Sequence, residues 1–188
     1  MTCRRHIFLP LLLILIVAPP FVRAQKWPED ARSLAPFVPS PQEVVDRMLQ
    51  LANVRKGDMV YDLGCGDGRI IITAAQKFGA QATGIELDDD LYKHTAERVH
   101  KMGLDDRVKV VHGNALETDL SPATVVTLYL LTASNTRLKP NLEKYLKPGS
   151  RVVSHDFQVI GWKPVKVEKL NRDQREHTIY LYEIGKNK

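Results

Sequence analysis

Apolar positions recur along residues 41–184 in two alternating periods, and this pattern predicts strands and helices in regular succession. The predicted strands are Met59–Leu63, Ala82–Leu87, Val108–His112, Ala123–Leu131 and Arg151–Ser154. The predicted helices are Pro41–Ala52, Ile70–Phe78, Asp90–Met102 and Asn135–Leu146. Strands that alternate with helices at this spacing indicate βαβ units, and therefore a doubly wound, mostly parallel sheet with helices on both faces.

The carboxyl-terminal part of the chain departs from this alternation. Val165–Leu170 and Thr178–Ile184 have the composition of strands, and the polar loop Asn171–His177 joins them, which predicts an antiparallel hairpin. The segment Gln158–Pro164 before it is too short for a crossover helix, since such a connection takes a dozen or more residues. The sequence therefore predicts an α/β, Rossmann-like sheet of seven strands that ends in an antiparallel hairpin.

The amino-terminal segment has the composition of a targeting signal. Arg4 and Arg5 precede the apolar run Ile7–Val17, and Val22-Arg23-Ala24 resembles a small-residue cleavage site. We expect residues 1–24 to be a signal peptide or an uncleaved signal anchor. The protein would then be exported, or membrane-anchored through this segment, and membrane association would require that the segment stays uncleaved.

Residues 25–40 are rich in proline and predict an extended lead-in, so that residues 41–188 form the folded domain. Ser40, followed by Pro41, is typical of an N-cap with proline at the first helical position.

Charge and cysteine content exclude several classes of protein. The chain has 27 basic and 22 acidic side chains, and three of the basic ones lie in the first 24 residues, so the remainder is nearly balanced and does not indicate a nucleic-acid partner. Cys65 is the one cysteine outside the amino-terminal segment, so the domain can form no internal disulfide. The sequence has no CxxC or HExxH motif, and we predict no metal site.

The stretch VYDLGCGDGR, residues 60–69, places three glycines directly after the first predicted strand. Ligands of parallel sheets bind beyond the carboxyl ends of the strands, and glycines there let the backbone approach a ligand closely. The spacing differs from the GxGxxG of dinucleotide sites, and no Gly-Lys-Ser/Thr follows as in a P-loop. Asp62 and Asp67 would repel a pyrophosphate and attract a cation.

Glu86 ends the second predicted strand, 22 residues after Gly64. A carboxylate at this position of a nucleotide-binding sheet accepts hydrogen bonds from ribose hydroxyls. The two features together predict a cationic nucleoside without a pyrophosphate as the ligand.

These residues resemble motif I of the class I, seven-stranded S-adenosylmethionine-dependent methyltransferases, and the resemblance covers about residues 39–184. It implies S-adenosylmethionine as the cofactor, with Asp62 and the glycine backbone at its methionyl part, Glu86 at its ribose and Asn114 at its adenine. The cofactor-binding residues that it implies are Asp62, Gly64, Cys65, Gly66, Gly68, Glu86, Asn114 and Ala115.

A narrower resemblance rests on Val38-Pro39-Ser40-Pro41, on DLGCGDGRI and on the GIEL that ends at Leu87. These stretches are similar to a group of membrane-tethered protein-lysine methyltransferases that modify the adenine nucleotide translocase and an ATP synthase membrane subunit. The resemblance implies a protein substrate methylated at lysine, which in that group is membrane-associated.

The methyl acceptor is expected over the ends of the fourth and fifth strands, where Tyr129, His155 and Asp156 are the candidate catalytic residues. Each also has a structural interpretation: a core aromatic ring, a hydrogen-bonded histidine and a turn cap. The fourth strand ends in YLLT rather than the Asp/Asn-Pro-Pro-aromatic motif of enzymes that methylate base amines, so nucleic-acid bases are poor candidates as acceptors and we expect no nucleic-acid partner. The alternatives are a cofactor-binding protein without transfer activity and a nicotinamide-dependent oxidoreductase.

Overall fold

The computed structural model of the protein describes residues 32–187. The predicted signal segment 1–24 and the first part of the lead-in, residues 25–31, lie outside the described residues. The helices are α1 Gln42–Leu51, α2 Arg69–Phe78, α3 Asp89–Lys101 and α4 Thr132–Tyr145. The strands are β1 Met59–Leu63, β2 Gln81–Glu86, β3 Val108–His112, β4 Val125–Leu128, β5 Arg151–His155, β6 Lys166–Arg172 and β7 Arg175–Glu183.

The seven strands form a single sheet in the order β3-β2-β1-β4-β5-β7-β6. The first five pair in parallel, and β7 pairs antiparallel with both β5 and β6. The predicted fold class, a mostly parallel seven-stranded sheet with a carboxyl-terminal hairpin, is confirmed. Strand order reverses between β1 and β4, and a ligand of this type of sheet binds at such a reversal.

Alternate side chains of the central strands point to opposite faces, and each face has its own hydrophobic core. Val125 and Val153 belong to a cluster with α1 and α2. Their neighbours Val126 and Val152 belong to a second cluster that includes Leu138 of α4. The central strands are therefore packed against a hydrophobic core on both faces, and this packing holds in place the strands whose carboxyl ends form the site.

The element boundaries depart from the prediction in two places that matter for function. β4 ends at Leu128, so Tyr129 lies beyond the strand at the edge of the sheet. In the hairpin, the strands extend through most of the predicted loop 171–177 and leave only a two-residue turn, Asp173-Gln174, with φ of 49° and 62°. No helix occurs in residues 156–165, in agreement with the short connection that the sequence predicted.

The prediction that Ser40 caps α1 is wrong. Pro41 occupies the N-cap position, and no side chain caps the helix. The Ser40 hydroxyl instead lies 2.9 Å from Nδ1 of His155, a partner 115 residues away in the chain. The carbonyl of Ser40 accepts a hydrogen bond from Arg69, and that of Leu34 accepts one from Ser134. Residues 32–40 are thus attached to the domain along their length.

Within residues 32–187, every helix is too short or too polar to cross a bilayer.

Candidate functional site

A cavity of about 390 Å³ lies at the carboxyl ends of β1 and β2, beside the point where strand order reverses. Its floor is the glycine turn after β1, one wall is the end of β2 with the segment that follows it, and the opposite wall is residues 32–40. A volume of this size matches the lower range of small-molecule sites. The cavity coincides with the binding position that the sequence predicted.

The glycine turn has the left-handed backbone that its composition predicted. Gly64, Gly66 and Gly68 have φ of 80°, 52° and 75°, a region that costs other residues about 1 kcal/mol or more. A Cβ atom on Gly66 would lie 2.5 Å from the ring of Phe37, so glycine here also admits the aromatic side chain of the lead-in. Gly64 and Gly66 line the cavity, whereas Gly68 caps α2 and packs on Thr95 outside it.

The carboxylate of Glu86 holds this turn against the end of β2. It is buried, and it accepts hydrogen bonds from the backbone N–H groups of Gly66 at 2.7 Å, Leu87 at 2.9 Å and Asp88 at 3.0 Å. A carboxylate has about four acceptor positions, so one remains for a ligand in this arrangement. Glu86 also lines the cavity, as its predicted role at a ribose requires.

Asp62 lies at the base of the cavity and is 3 % exposed. Burial raises its pKa to about 7, and the charges of Glu86 and Asp67 add to this, while the hydroxyl of Thr127, which donates to it at 2.6 Å, opposes the shift. The carboxyl group is therefore poised between its protonated and charged forms at neutral pH. A bound cation beside it would favour the charged form.

The thiol of Cys65 faces inward rather than toward a ligand. Its side chain is buried and packs against β2. The packing is so close that a Cβ atom on Gly84 of β2 would lie 2.6 Å from Sγ of Cys65. Burial raises the pKa of this thiol, and the nearby carboxylates raise it further. Cys65 is therefore an unreactive packing residue whose backbone borders the cavity.

The predicted adenine position is only partly in the cavity. Gly113 and Ala115 line it, but the side chain of Asn114 accepts a hydrogen bond from the N–H of Leu116 and donates to Glu117. Asn114 thus caps the short 3₁₀ turn Ala115–Glu117. Any contact that it makes with a ligand requires its backbone or a change of its side-chain rotamer.

The electrostatics of the cavity favour a cation. Among the described residues, two basic side chains border it, Arg32 and Arg69, and Arg69 is bound to Asp67 at 2.6 Å and to the carbonyl of Ser40. The acidic side chains that border it are Asp62, Asp67, Glu86, Asp88 and Asp89. A pyrophosphate would be repelled by this excess of carboxylates, whereas S-adenosylmethionine carries a sulfonium and an ammonium group against a single carboxylate, and no phosphate. The residues present fit this cofactor.

The three candidate catalytic residues come together at the ends of β4 and β5. The ring of Tyr129 borders the cavity and stacks on His155 with a centroid distance of 3.9 Å. His155 is fully buried and Asp156 follows it with φ of 59°. Burial lowers the pKa of His155 to about 4, so it is neutral at pH 7. Burial also favours the neutral form of Tyr129: it raises the pKa of the hydroxyl, which stays protonated.

Two residues of β7 complete this cluster, and the sequence pattern did not indicate them. Nδ1 of His177 lies 2.8 Å from Nε2 of His155, and Arg175 binds the carboxylate of Asp156. Both fall in the predicted hairpin loop, and the antiparallel pairing of β7 with β5 brings them to the site. Nitrogen and oxygen atoms of His155, Asp156 and His177 lie within 4.8 Å of one another, a spacing that suits a metal, but the Arg175 guanidinium already supplies a positive charge there.

The fold, the glycine turn and the acidic cavity define a class I S-adenosylmethionine-dependent methyltransferase. Residues 62–166 match the model of the ANTKMT methyltransferase domain. The chain is 52 % identical over 154 residues to the protein-lysine N-methyltransferase of Saccharolobus islandicus, and the match covers 81 % of this chain and 96 % of that protein. The chain belongs to the ANTKMT methyltransferase domain family.

Two further relatives differ in the substrate that their names give. A human lysine N-methyltransferase named for an ATP synthase subunit is 29 % identical over 175 residues, 93 % of this chain and 71 % of that protein. A crystal structure described as an RNA methyltransferase from Salinibacter ruber, in complex with S-adenosylhomocysteine, is 46 % identical with a TM-score of 0.73. The match covers 78 % of this chain and 94 % of that chain. The predictions of enzyme class and cofactor are confirmed.

The buried carboxyl group of Asp62 predicts that cofactor affinity depends on pH. A cation binds the charged form of the Asp62 carboxylate. Below the pKa of about 7 that Asp62 has in the protein without ligand, binding must also remove a proton from it. Cofactor affinity therefore falls by up to about tenfold for each pH unit below that pKa. We expect the full chain to bind S-adenosylmethionine several-fold more weakly at about pH 6 than at about pH 7.5, with proton release at the lower pH. Calorimetry in two buffers of different ionisation enthalpy measures both effects.

Asp62→Asn should remove the pH dependence, and the exposed Asp119→Asn serves as the matched control that keeps it. Equal affinities of the wild-type protein at both pH values would show that Asp62 does not face the cationic part of the cofactor.

Proposed function

We propose that this enzyme transfers a methyl group from S-adenosylmethionine to the ε-amino group of lysine in a protein. The observation that carries the proposal is the 52 % identity to the Saccharolobus islandicus protein-lysine N-methyltransferase, which extends over nearly all of that protein. The identity spans 81 % of this chain, so it extends well beyond the glycine turn that any enzyme with this cofactor would need.

The chemistry asks the chain mainly to position the acceptor. Bound S-adenosylmethionine supplies a methyl group that its sulfonium already activates. The lysine ammonium would first lose a proton to solvent, and the lone pair of the neutral amine would then form the C–N bond. The C–S bond would break with its electron pair on sulfur, which gives methyl-lysine and S-adenosylhomocysteine. Because proximity and alignment dominate such a displacement, the residues at the cavity edge need to orient the amine and exclude water.

Tyr129 is the residue that we propose to orient the amine, since it borders the cavity and its hydroxyl lies beside Arg175 at the cavity edge. His155 is too weak a base to deprotonate an ammonium group, because its pKa is about 4. It is better described as a positioning residue, which holds the Tyr129 ring by stacking on it and is itself held by Ser40. Asp156 places a negative charge at the cavity edge, where Arg175 is bound to it.

RNA is the second candidate substrate, and the description of the Salinibacter ruber structure as an RNA methyltransferase favours it. The carboxylates around the cavity count against a polyanion, which generally requires a basic surface. The two substrates are distinguished by where the methyl group is found.

The test incubates the full chain with S-adenosylmethionine labelled in its methyl group, in separate reactions with a mixture of synthetic lysine peptides and with total cellular RNA. A matched peptide mixture carries norleucine at each lysine position. We expect label on the lysine peptides, a mass increase of one methyl group or more at lysine, and no label on the norleucine peptides. Label on RNA alone, or on no substrate by an enzyme that binds the cofactor, would contradict the proposal.

We further propose that residues 1–24 target the protein to a membrane or out of the cytosol. The basic residues before an apolar run support this proposal. We expect the full chain, expressed with a carboxyl-terminal tag, to fractionate with membranes or in the exported fraction, and Leu12→Arg with Leu15→Arg to shift it to the cytosol. Thr2→Ala is the control, and a cytosolic wild-type protein would contradict the proposal.

A further inference from the structure

Arg175 fills a small site at the edge of the cavity that is made of hydrogen-bond acceptors. Its guanidinium group binds the carboxylate of Asp156 and lies 3.1 Å from Nδ1 of His177 and 3.4 Å from the hydroxyl of Tyr129. We refer to Tyr129, Asp156 and His177 as the cation subsite. Tyr129 also borders the cofactor cavity, so the subsite and the cavity share a wall.

The hydrogen bonds of the subsite fix it as an acceptor of positive charge. Nδ1 of His177 faces the donor groups of Arg175, so it accepts, and Nε2 of His155, 2.8 Å away, must donate to it as well. Nδ1 of His155 then accepts from the hydroxyl of Ser40 at 2.9 Å. In this order the single lone pair of Nδ1 of His177 is shared between His155 and the guanidinium, so the negative charge of Asp156 is the main feature that selects a cation at this position.

The subsite is held in place from two sides, because His177 is buried against the buried His155 and Asp156 is bound to the backbone of β7. His155 and His177 have side chains 0 % and 3 % exposed. One oxygen of Asp156 accepts from the N–H of Thr178 at 2.8 Å, and the backbone N–H of Asp156 donates to the carbonyl of Thr178 at 2.7 Å. With Asp156 anchored in this way, its other oxygen has a fixed position, 3.3 Å from Nε2 of His155, and Arg175 is the cation bound to it.

Arg175 itself is the exchangeable part of the arrangement. Its side chain is 51 % exposed, against 17 % for that of Asp156. It is the first residue of β7 and follows the two-residue turn of the hairpin. Rotation about its own side-chain bonds would carry the guanidinium into solvent without breaking a pair of the β6–β7 ladder.

We propose that the cation subsite binds the ε-ammonium group of the substrate lysine, and that Arg175 occupies the subsite when no substrate is present. This inference rests on the proposed lysine-methyltransferase function. An ammonium group replaces a guanidinium at the same carboxylate, so the exchange never leaves Asp156 without a cation. Tyr129 then borders both the docked ammonium and the cofactor cavity, toward which the amine must move to react once it has lost a proton to solvent.

If Arg175 and the substrate lysine occupy the same subsite, they compete for it. The apparent affinity for substrate is then reduced in proportion to the fraction of time for which Arg175 leaves the subsite open. Removal of the Arg175 side chain should therefore strengthen substrate binding. Removal of the Asp156 charge should weaken it, and Arg175→Ala should then have no further effect. A purely structural Arg175 predicts the opposite: its loss would disorder Asp156 and weaken binding.

The experiment measures fluorescence anisotropy of a labelled peptide with a single central lysine, with S-adenosylhomocysteine present, and KM for the same peptide in turnover. The peptide with norleucine in place of lysine is the ligand control. Asp156→Asn is suited to the test because asparagine tolerates the positive φ and keeps an oxygen for Thr178. Arg172→Ala is the matched protein control, since Arg172 pairs with Arg175 across the turn and its side chain binds Glu43 instead.

We expect Arg175→Ala to bind the lysine peptide up to about tenfold more tightly and to lower KM, for a subsite that Arg175 fills about nine-tenths of the time. Asp156→Asn should weaken binding about tenfold, as loss of a charge-assisted hydrogen bond implies. The double variant should match Asp156→Asn, and Arg172→Ala should match the wild-type protein. Affinity for S-adenosylhomocysteine should be the same in all variants.

Unchanged or weaker peptide binding by Arg175→Ala would overturn the inference and leave Arg175 as a support for Asp156. Equal binding of the lysine and norleucine peptides by the wild-type protein would overturn it too. If the variants follow the expected order but no methyl group reaches lysine, the proposed function fails and the subsite remains. If lysine is methylated but the order fails, the subsite alone is wrong.

Discussion

The carboxylate of Glu86 accepts hydrogen bonds from three backbone N–H groups, and the geometry of the whole cofactor site depends on these bonds. One of them comes from Gly66, in the turn after β1, and the other two come from the segment that follows β2. A single buried side chain thus ties together the ends of two adjacent strands. Its carboxylate borders the cavity, and the backbone N–H of Gly66 in the glycine turn points at it.

The charge of this carboxylate also constrains what the cavity can hold. Glu86 and Asp67 are close enough to Asp62 that each raises the cost of ionising it. Such a concentration of acidic groups is unfavourable in an empty site and is relieved by a ligand with positive charge. The same reasoning applies at the second edge, where Asp156 is satisfied by Arg175. Both ends of the active site are therefore organised around cations, one from the cofactor and one, as we propose, from the substrate.

The parts of the fold that could be predicted from sequence are those determined by local pattern. β4 has a near-continuous apolar run because both of its faces are buried, and the glycine stretch specifies its own turn through positive φ. Glu86 was predictable for the same reason, since its position follows from the end of a strand. Asn114 was harder to interpret, because an Asn at this position serves equally as a cap, which is the role its side chain has.

The parts that could not be predicted depend on contacts between distant residues. Ser40 has the sequence context of an N-cap, but its hydroxyl meets a histidine 115 residues away. Arg175 and His177 lie in a stretch so polar that it has the composition of a loop. β6 is an exposed edge strand without a buried face, so its hydrophobic pattern gives no register, and only the pairing of β7 with β5 brings the two residues to Asp156.

We infer that Glu86 shapes an acidic cavity and that this cavity selects a cationic nucleoside. Calorimetric titration of the full chain and of Glu86→Gln tests this selection. The ligands are S-adenosylmethionine, S-adenosylhomocysteine and NAD. We expect the first two to bind, NAD not to bind, and Glu86→Gln to weaken binding about tenfold or more, as loss of a buried charged acceptor implies. Binding of NAD with comparable affinity, or S-adenosylmethionine binding that Glu86→Gln leaves unchanged, would contradict this role of the acidic cavity.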